Sequence, residues 1–449
     1  MTASSPELVE AFGHAERLSR LPEMVDQLEL ARSLGYVIEV RGTTLRVRFQ
    51  RLALGAICRL ISGKATGTLA EVIALDEGKA TLSVLGDASQ IRVYDRVEFV
   101  SDELEFDFHD GLLGSVVDGV GRPLDKQVAV DGANRRVHGT GVSALDRPVI
   151  DQPFLTGVQA IDSFLTLGRG QRIALFGPPG CGKSILLSNI VAKCNADVVV
   201  LALVGERGRE VQEFLERHMT KQVRKRAVIV VATSDRPALE RCYAAHLASS
   251  IAEGYRDSGK NVLLLVDSLT RVARALREIG LAAGEPAVRR GFPASVYPAL
   301  PKIIERAGRS RKGDITAIYA VLVEGDSVAD PIADEIKSLT DGHIELSRDC
   351  ASEGLFPAID VVKSLSRVMP DVVSRDHMAL ANRGRRLLAK YEELKLLIQI
   401  GEYEKGRDRL ADEAVDRIEG LKTFIHSGGR ERLEPMRIVT AQMRKVVNP

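Results

Sequence analysis

The pattern of apolar and polar positions changes several times along the chain. From about Tyr36 to Val100 apolar and polar residues alternate, and the turns between these segments carry Gly and Asp. Alternation with period two in short segments predicts half-buried strands, and the frequent turns predict a small barrel or sandwich. The stretch from Asp110 to Pro153 is rich in Gly, Asp and Pro, and we interpret it as a connector laid over a surface.

Continuous apolar runs alternate with amphipathic stretches from about Phe154 to Val368. The runs read RIALF, VVVLALV, AVIVVAT, NVLLLVD and ITAIYAVLV. Such runs are typical of parallel strands that helices cover on both faces, so they predict an α/β domain. From about Met369 onward helical spacing dominates, as in RRLLAKYEELKLLIQI, where Leu387, Tyr391, Leu394 and Leu397 recur on one face. We therefore predict three domains: 1–100 (arm and barrel), 101–368 (connector and α/β domain) and 369–449 (helices).

Composition narrows the class of protein. The 449 residues carry 62 basic and 61 acidic side chains, only 4% aromatic residues and no Trp, which disfavours a nucleic-acid-binding surface. The five cysteines are scattered without CxxC spacing and the eight histidines show no metal spacing, so we expect neither a disulfide framework nor a zinc site. No run reaches the roughly 18 apolar residues of a membrane span, and the N-terminus does not resemble a secretory signal. We expect a cytoplasmic protein.

The N-terminal arm offers a weaker signal. Ser5 is a suitable helix cap and Pro6 suits the first helical position, while Leu8 and Phe12 share a face. This pattern predicts a short helix, and a poorly ordered arm is the alternative.

The most specific motif reads GPPGCGKS and matches the phosphate-binding pattern GxxxxGK[ST]. It lies between the apolar run RIALF and the helical stretch SILLSNIVAKC, which is the arrangement that the motif requires. Glycines let backbone N–H groups surround a phosphate chain, Lys183 places a charge on the β- and γ-phosphates, and the Ser184 hydroxyl can bind Mg²⁺. We expect Cys181 to be a small filler rather than a nucleophile. The residues expected to bind the nucleotide here are Gly177, Pro178, Pro179, Gly180, Cys181, Gly182, Lys183, Ser184 and Ile185.

Two carboxylates follow apolar runs downstream of this motif. Asp267 ends NVLLLVD, where a carboxylate beside a phosphate loop would hold Mg²⁺, although many strands end in Asp merely as a turn or cap. Glu206 lies in VGERGRE, directly after VVVLAL, where it could orient the attacking water. The alternative for this charge-dense segment is a solvated loop with local ion pairs.

A further segment, GLFPAIDVVKSLSR, contains two candidate side chains. Phe356 could form a flat wall for a nucleotide base, but an aromatic residue before proline is more often part of a core. Arg367 could reach phosphate oxygens, because a planar guanidinium suits that task. Without further knowledge, Arg367 would be interpreted as a surface ion-pair former.

Taken together, the motifs resemble a known family. The order TGVQAID, GPPGCGKS, GERGREV, VDSLTR, EIGLAAGEP, VEGDS, DGHIELSRD and PAIDVVKSLSR resembles the ATPases of type III protein secretion, from about Leu112 to Tyr403. That family includes the flagellar-export and injectisome ATPases and is related to the catalytic β subunit of rotary ATP synthases. The resemblance implies an α/β fold class, with an N-terminal β-barrel, a central RecA-like P-loop ATPase domain with a mostly parallel sheet, and a C-terminal helical domain.

The resemblance also implies roles for single residues in ATP hydrolysis. Gly182, Lys183 and Ser184 would bind phosphates and Mg²⁺, with Asp267 as the second Mg²⁺ residue. Glu206 would orient the water, and Arg207 would steady the phosphate region. Phe356 would pack on adenine. Arg367 would be the finger that a neighbouring subunit inserts into the site.

The partners follow from the same resemblance. It implies a homohexamer that works with a central stalk, a stator, export chaperones and secreted proteins, without nucleic acid. It also implies a cytoplasmic position, peripheral at the inner face of the cytoplasmic membrane. The stretches GPPGCGKS and SLSRVMPDVV favour the injectisome branch. Ser327 departs from the family pattern, which often has a second acid there.

The sequence has four alternative interpretations besides an injectisome ATPase. A flagellar export ATPase is the nearest one. A rotary ATP synthase or vacuolar-type subunit is disfavoured by the export-like motifs and because one chain carries both Glu206 and Arg367. A nucleic-acid translocase is disfavoured by the near-zero net charge and the scarce aromatic residues, although the pore of a ring can be locally basic. A non-catalytic nucleotide-binding scaffold is disfavoured by the full set of Lys183, Glu206, Asp267 and Arg367.

Overall fold

The computed structural model describes residues 34–49, 51–61, 67–125, 132–323, 330–427 and 435–448. The chain divides into two compact units, Met1–Asp102 and Glu103–Pro449. The helices after residue 369 belong to the second unit, so a separate C-terminal domain stays a prediction. The predicted N-terminal helix and Ser327 lie outside the described residues.

The first unit contains a closed antiparallel barrel, as the alternating pattern predicted. Its strands are β1 (Leu34–Arg41), β2 (Thr44–Arg48), β3 (Ile57–Leu60), β4 (Leu69–Asp76), β5 (Lys79–Leu85) and β6 (Arg96–Ser101). They pair in the order β1-β2-β5-β4-β3-β6. Alternate side chains such as Val37, Leu45 and Val47 fill the interior. Gly42, at φ +58°, allows the tight turn between β1 and β2.

The second unit is built on a twisted, mostly parallel sheet. Its strands, with those of three small two-stranded sheets, are β7 (Glu105–Phe108), β8 (Val116–Asp118), β9 (Ala133–Arg136), β10 (Pro153–Phe154), β11 (Leu167–Gly168), β12 (Arg172–Gly177), β13 (Val198–Val204), β14 (Ala227–Ala232), β15 (Asn261–Asp267), β16 (Ala287–Arg289), β17 (Phe292–Pro293), β18 (Gly308–Arg309), β19 (Asp314–Leu322), β20 (Gly342–Leu346) and β21 (Ile359–Ser366). The main sheet has the order β21-β20-β12-β19-β15-β13-β14-β8, with β18 paired to β19. Strands β21 and β18 are antiparallel to their partners and the others are parallel.

Helices cover this sheet and extend to the C-terminal end. They are α1 (Gln159–Phe164), α2 (Lys183–Lys193), α3 (Gly208–Arg217), α4 (Lys221–Arg224), α5 (Ala238–Asp257), α6 (Leu269–Ala282), α7 (Val296–Ile304), α8 (Pro331–Leu339), α9 (Arg348–Ser352), α10 (Met369–Val372), α11 (Arg375–Gln399), α12 (Arg409–Ile425) and α13 (Met436–Val447). Helix α5 packs on β13, β14 and β15, and is buried on nearly all sides. The fully buried strand β13 accordingly reads VVVLALV, without alternation.

The predicted connector holds more regular structure than its composition suggested. Val116–Asp118 forms the parallel edge strand β8 beside β14, and Ala133–Arg136 pairs with β7. Strand β8 was missed because three residues are too few to show a period among glycines. The rest of the connector includes two short 3₁₀ turns, Asp110–Leu112 and Ala144–Asp146.

The C-terminal helices α11, α12 and α13 pack on one another and on α1, and confirm the predicted helical region. The buried ring of His377 fixes this packing: Nε2 lies 2.8 Å from the Ser163 carbonyl oxygen and Nδ1 lies 2.8 Å from Thr440 Oγ1. Of the predicted helical face, Leu387 and Leu394 are buried, whereas Leu397 is exposed. None of the described helices is both long and apolar enough to cross a membrane.

Candidate functional site

The parallel sheet brings three of the sequence motifs to one edge. Strands β12, β13 and β15 run in the same direction, so their carboxyl ends meet at one edge of the sheet. The glycine-rich loop follows β12, and Asp267 is the last residue of β15, opposite Leu203 of β13. Glu206 comes two residues after the end of β13. This is the edge where ligands bind in open α/β sheets.

The glycine-rich loop has the shape that a phosphate cradle needs. Gly180 and Gly182 adopt φ of +85° and +74°, which side chains with a Cβ rarely tolerate. Helix α2 starts at Lys183, so its N-terminal N–H groups and positive dipole end face the loop. Ile185, in the first turn, is exposed. Cys181 is buried, which raises the pKa of its thiol and fits a packing role.

Lys183 and Asp267 form an ion pair across the loop. The Lys183 ammonium donates to Asp267 Oδ1, and both side chains are largely buried. Ser184, the second residue of the same helix, is exposed. Hydroxyl and carboxylate oxygens are the ligands that Mg²⁺ prefers. Among the described residues no group of three His, Cys, Asp or Glu side chains could hold a metal, so a cation here needs further oxygens from a nucleotide or water.

Glu206 lies in a buried, charged environment beside this pair. Burial and the nearby Asp267 carboxylate raise the pKa of its carboxyl to about 7, although Arg271 and Lys183 oppose the shift. A carboxylate with a pKa near the working pH changes protonation state readily, which is what a water-orienting or proton-accepting group requires.

Arg271 holds Glu206 in place, and sequence reasoning assigned it no role. Its Nη2 donates to Glu206 Oε2 at 3.0 Å, and its Nη1 donates to the Gly205 carbonyl oxygen. A Cβ on Gly205, which has φ +67°, would lie only 2.8 Å from Cδ of Arg271. The signal that could have identified Arg271 is its position in VDSLTR: four residues after Asp267 places it in the first turn of α6.

Arg207 lies outside this cluster. Its side chain is 77% exposed and pairs with Glu210 at 3.6 Å, one turn along α3. Glu210 in turn contributes a side-chain hydrogen bond to Glu206. The role of Arg207 at the phosphates stays a prediction.

Phe356 lies next to the glycine-rich loop and is not a core residue. A Cβ built on Gly182 would meet Cε1 of its ring at 3.0 Å, and the ring is 42% exposed. The following residue, Pro357, is tied to the C-terminal helices because its carbonyl oxygen lies 2.9 Å from His426 Nδ1. A fixed, half-exposed aromatic face beside a phosphate loop is suited to packing on a base.

Arg367 lies at the opposite end of the sheet. Strand β21 runs antiparallel to β20, with Ile359 opposite Leu346 at the loop edge and Ser366 opposite Gly342 at the other end. Four residues of strand span about 13 Å, so Arg367 is at least that far from the loop edge along the strands. It is exposed, and among the described residues its guanidinium forms no hydrogen bond or ion pair. The chain does not bring Arg367 to its own phosphate loop.

Three family models match successive parts of the chain. Residues 37–101 match the beta-barrel domain of the ATP synthase alpha/beta family, and residues 157–366 match the nucleotide-binding domain of that family. Residues 373–443 match the T3SS EscN ATPase C-terminal domain.

Full-length relatives decide the family. The type 3 secretion system ATPase of Xanthomonas euvesicatoria is 45% identical over 402 residues, which are 89% of this chain and 90% of the relative. The chain belongs to the type 3 secretion system ATPases. The SPI-2 type 3 secretion system ATPase of Salmonella typhimurium is 46% identical to this ATPase, over 89% of the chain and 92% of the relative. The flagellum-specific ATP synthase of Bacillus subtilis is 41% identical, over 91% and 94%.

Solved structures confirm the fold of this ATPase. The assembled ATPase EscN of enteropathogenic E. coli superimposes with a TM-score of 0.86 at 45% identity, over 92% of this chain and all of that chain. EscN in complex with its central stalk EscO gives a TM-score of 0.84 at 44% identity, over 92% and 100%. The predicted barrel, RecA-like domain, C-terminal helices and ATPase activity are thus confirmed, and the roles of single residues stay predictions.

Proposed function

We propose that this ATPase hydrolyses Mg-ATP as a homohexameric motor of an injectisome, in sites that two neighbouring subunits share. The observation that supports this most directly is the placement of Arg367 at the end of the sheet away from its own phosphate loop. An exposed guanidinium without a described partner is available to the site of the next subunit. One chain therefore carries both halves of a site, which identical subunits in a ring could bring together.

Within one subunit, the glycine-rich loop and Lys183 would bind the phosphate chain. In the structure Lys183 pairs with Asp267, so phosphate binding would move the ammonium from the carboxylate to the phosphate oxygens. Asp267 and the Ser184 hydroxyl would then be free to hold Mg²⁺, which supplies charge neutralisation at the phosphates when bound. The cluster thus exchanges one ion pair for several without leaving a buried charge unpaired.

Glu206 would orient the attacking water. Its carboxylate is fixed by Arg271 at 3.0 Å and is close to the phosphate loop through Lys183 and Asp267. Only the ionised form accepts a hydrogen bond with both oxygens, so its protonation state controls how well water is positioned.

Phe356 and Arg367 would complete the site from two directions. Phe356 of the same subunit would pack on adenine, since its ring lies against Gly182. Arg367 of the neighbouring subunit would stabilise charge that builds on the transferred phosphoryl group, as a planar fork of donors can.

The partners of this ATPase follow from its family. The relative EscN has been solved as an assembled ATPase and in complex with its central stalk EscO. We extend both properties to this chain, together with a stator, chaperones and secreted proteins as substrates, at the inner face of the cytoplasmic membrane. The injectisome is favoured over the flagellar apparatus because six type 3 secretion system ATPases are 43–46% identical, against 41% for the flagellar relative, while the SPI-1 type 3 secretion system ATPase of Salmonella typhi is 39% identical.

Lys183→Ala tests the proposed activity. Removal of the ammonium should abolish Mg-dependent ATP hydrolysis at any protein concentration while the fold persists, because the phosphate chain loses its point charge. Steady-state turnover and circular dichroism measure the two properties. Lys183→Arg is the matched control that keeps the charge. A folded Lys183→Ala variant with wild-type turnover would refute the site.

A further inference from the structure

Two large apolar side chains of the connector are exposed to solvent. Leu145 is 96% exposed and Val149 is 80% exposed, and no other large apolar side chain among the described residues exceeds them. They lie in the segment 142–151, which we call the pinned segment. Isolated exposed apolar residues are common, so their position and rigidity must decide whether they matter.

The pinned segment is held by arginine side chains rather than left loose. Arg147 and Arg309 are mostly buried, and with Arg311 they fasten the segment to the region 305–314. The contacts are Arg147 Nε to the Val142 carbonyl oxygen at 3.1 Å, Arg147 Nη1 to the Ala307 carbonyl oxygen at 3.2 Å, Arg309 Nη1 to the Val149 carbonyl oxygen at 2.5 Å, the ion pair of Arg309 with Asp151, and Arg311 Nη2 to Asp146 at 3.1 Å. The backbone that displays the two apolar side chains is therefore fixed.

The pinned segment lies beside Arg367. A Cβ built on Gly168 would lie 2.3 Å from Cγ2 of Ile150 and 2.8 Å from Cγ1 of Val368. Ile150 follows Val149, and Val368 follows Arg367, so both neighbours pack on one glycine. The pinned segment and the exposed guanidinium thus lie at the same end of the main sheet, away from the chain's own phosphate loop.

We propose that Leu145 and Val149 pack against a second copy of this chain, next to the nucleotide site that Arg367 of the same subunit enters. This inference rests on the proposed function, because Arg367 can reach a neighbour's site only if the surface around it is covered by that neighbour. A fixed apolar pair beside a charged finger has the composition of an interface patch, in which the apolar contact excludes water from the polar group.

Paired substitutions test this surface. Leu145→Asp and Val149→Asp place a charge in the contact, while Leu145→Met and Val149→Ile keep it apolar. We expect each Asp variant to raise the protein concentration at half-maximal assembly by about tenfold or more, a typical effect at a buried interface position. Sedimentation velocity and ATPase activity over a concentration series measure this, and nucleotide binding by the dilute subunit should be unchanged. Assembly of the Asp variants at wild-type concentrations would refute the proposal.

A labelling experiment provides a second test that does not depend on the folding of the Asp variants. Leu145→Cys should react rapidly with a maleimide in the dilute protein and at least tenfold more slowly after assembly. Both rates are measured after subtraction of the labelling of the wild-type cysteines. Equal rates in both states would also refute the proposal. If the wild type hydrolyses ATP at full rate as a monomer, the shared site of the proposed function fails; if it requires assembly while the labelling rates stay equal, only this surface assignment fails.

Discussion

Arg271 offers the sharpest prediction about the chemistry of a single subunit. Its guanidinium donates to the Glu206 carboxylate at 3.0 Å and to the Gly205 carbonyl oxygen. Arg271→Gln removes the charge, so the ionised form of Glu206 loses a stabilising partner. Because Arg271 opposes the raised pKa of Glu206, the pKa must rise further when the charge is removed.

The size of the effect follows from the strength of such contacts. A hydrogen bond to a charged group contributes about 1.5–3 kcal/mol, which moves a pKa from about 7 to roughly 8 or 9. At pH 7.5 the ionised fraction of Glu206 would fall from roughly three quarters to between about 3% and 25%. We therefore expect kcat/KM at pH 7.5 to drop by about 3- to 25-fold and to recover as the pH rises.

The assay is the pH dependence of kcat/KM, whose acid limb reports ionisation of the free enzyme. The limb should move to higher pH in Arg271→Gln. Arg271→Lys is the matched control: it keeps the charge but cannot donate to Glu206 and to the Gly205 carbonyl oxygen at the same time, so its acid limb should shift less. In a Glu206→Gln background, Arg271→Gln should lower kcat/KM only slightly further, since the two residues act together. An unmoved acid limb, or fully additive losses, would show that Arg271 does not act through Glu206.

The other site residues separate binding from turnover. Glu206→Gln should retain nucleotide affinity and lose about 100-fold or more in turnover, as water-orienting groups do; affinity that falls in step with turnover would make Glu206 structural. Phe356→Ala should raise KM more than it lowers kcat, because packing on a base contributes equally to ground and transition states. Phe356→Tyr is its aromatic control, and a Michaelis constant that does not change in Phe356→Ala would remove Phe356 from the adenine site.

Periodicity was a good guide wherever the local pattern was long. The barrel alternates over several strands, and the apolar runs of β12, β13 and β15 are long enough to identify a buried parallel sheet. Once those strands are parallel, the meeting of Lys183 and Asp267 at one edge follows. Strand β8, with three residues among glycines, has no period to detect.

Other features depend on distances that a sequence does not contain. Arg271 becomes part of the site only because Gly205 leaves room for its side chain. Phe356 before proline is equally compatible with a core, and its place against Gly182 depends on how the segment after β20 returns to the loop. The placement of Arg367 depends on the direction of β21. Because β21 is antiparallel to β20, the residue that follows it lies at the end of the sheet away from the phosphate loop.

Complementation between two inactive variants tests the central claim of a shared site. Arg367→Ala alone should bind ATP yet hydrolyse it about 10³-fold more slowly, the typical loss for an arginine finger. Lys183→Ala should be inactive in its own phosphate loop but still supply Arg367 to a neighbour. When the two are mixed under conditions that allow subunit exchange, some sites combine an intact Lys183 with an intact Arg367, so part of the activity should return. Proven co-assembly with no recovery at any mixing ratio would contradict the shared site.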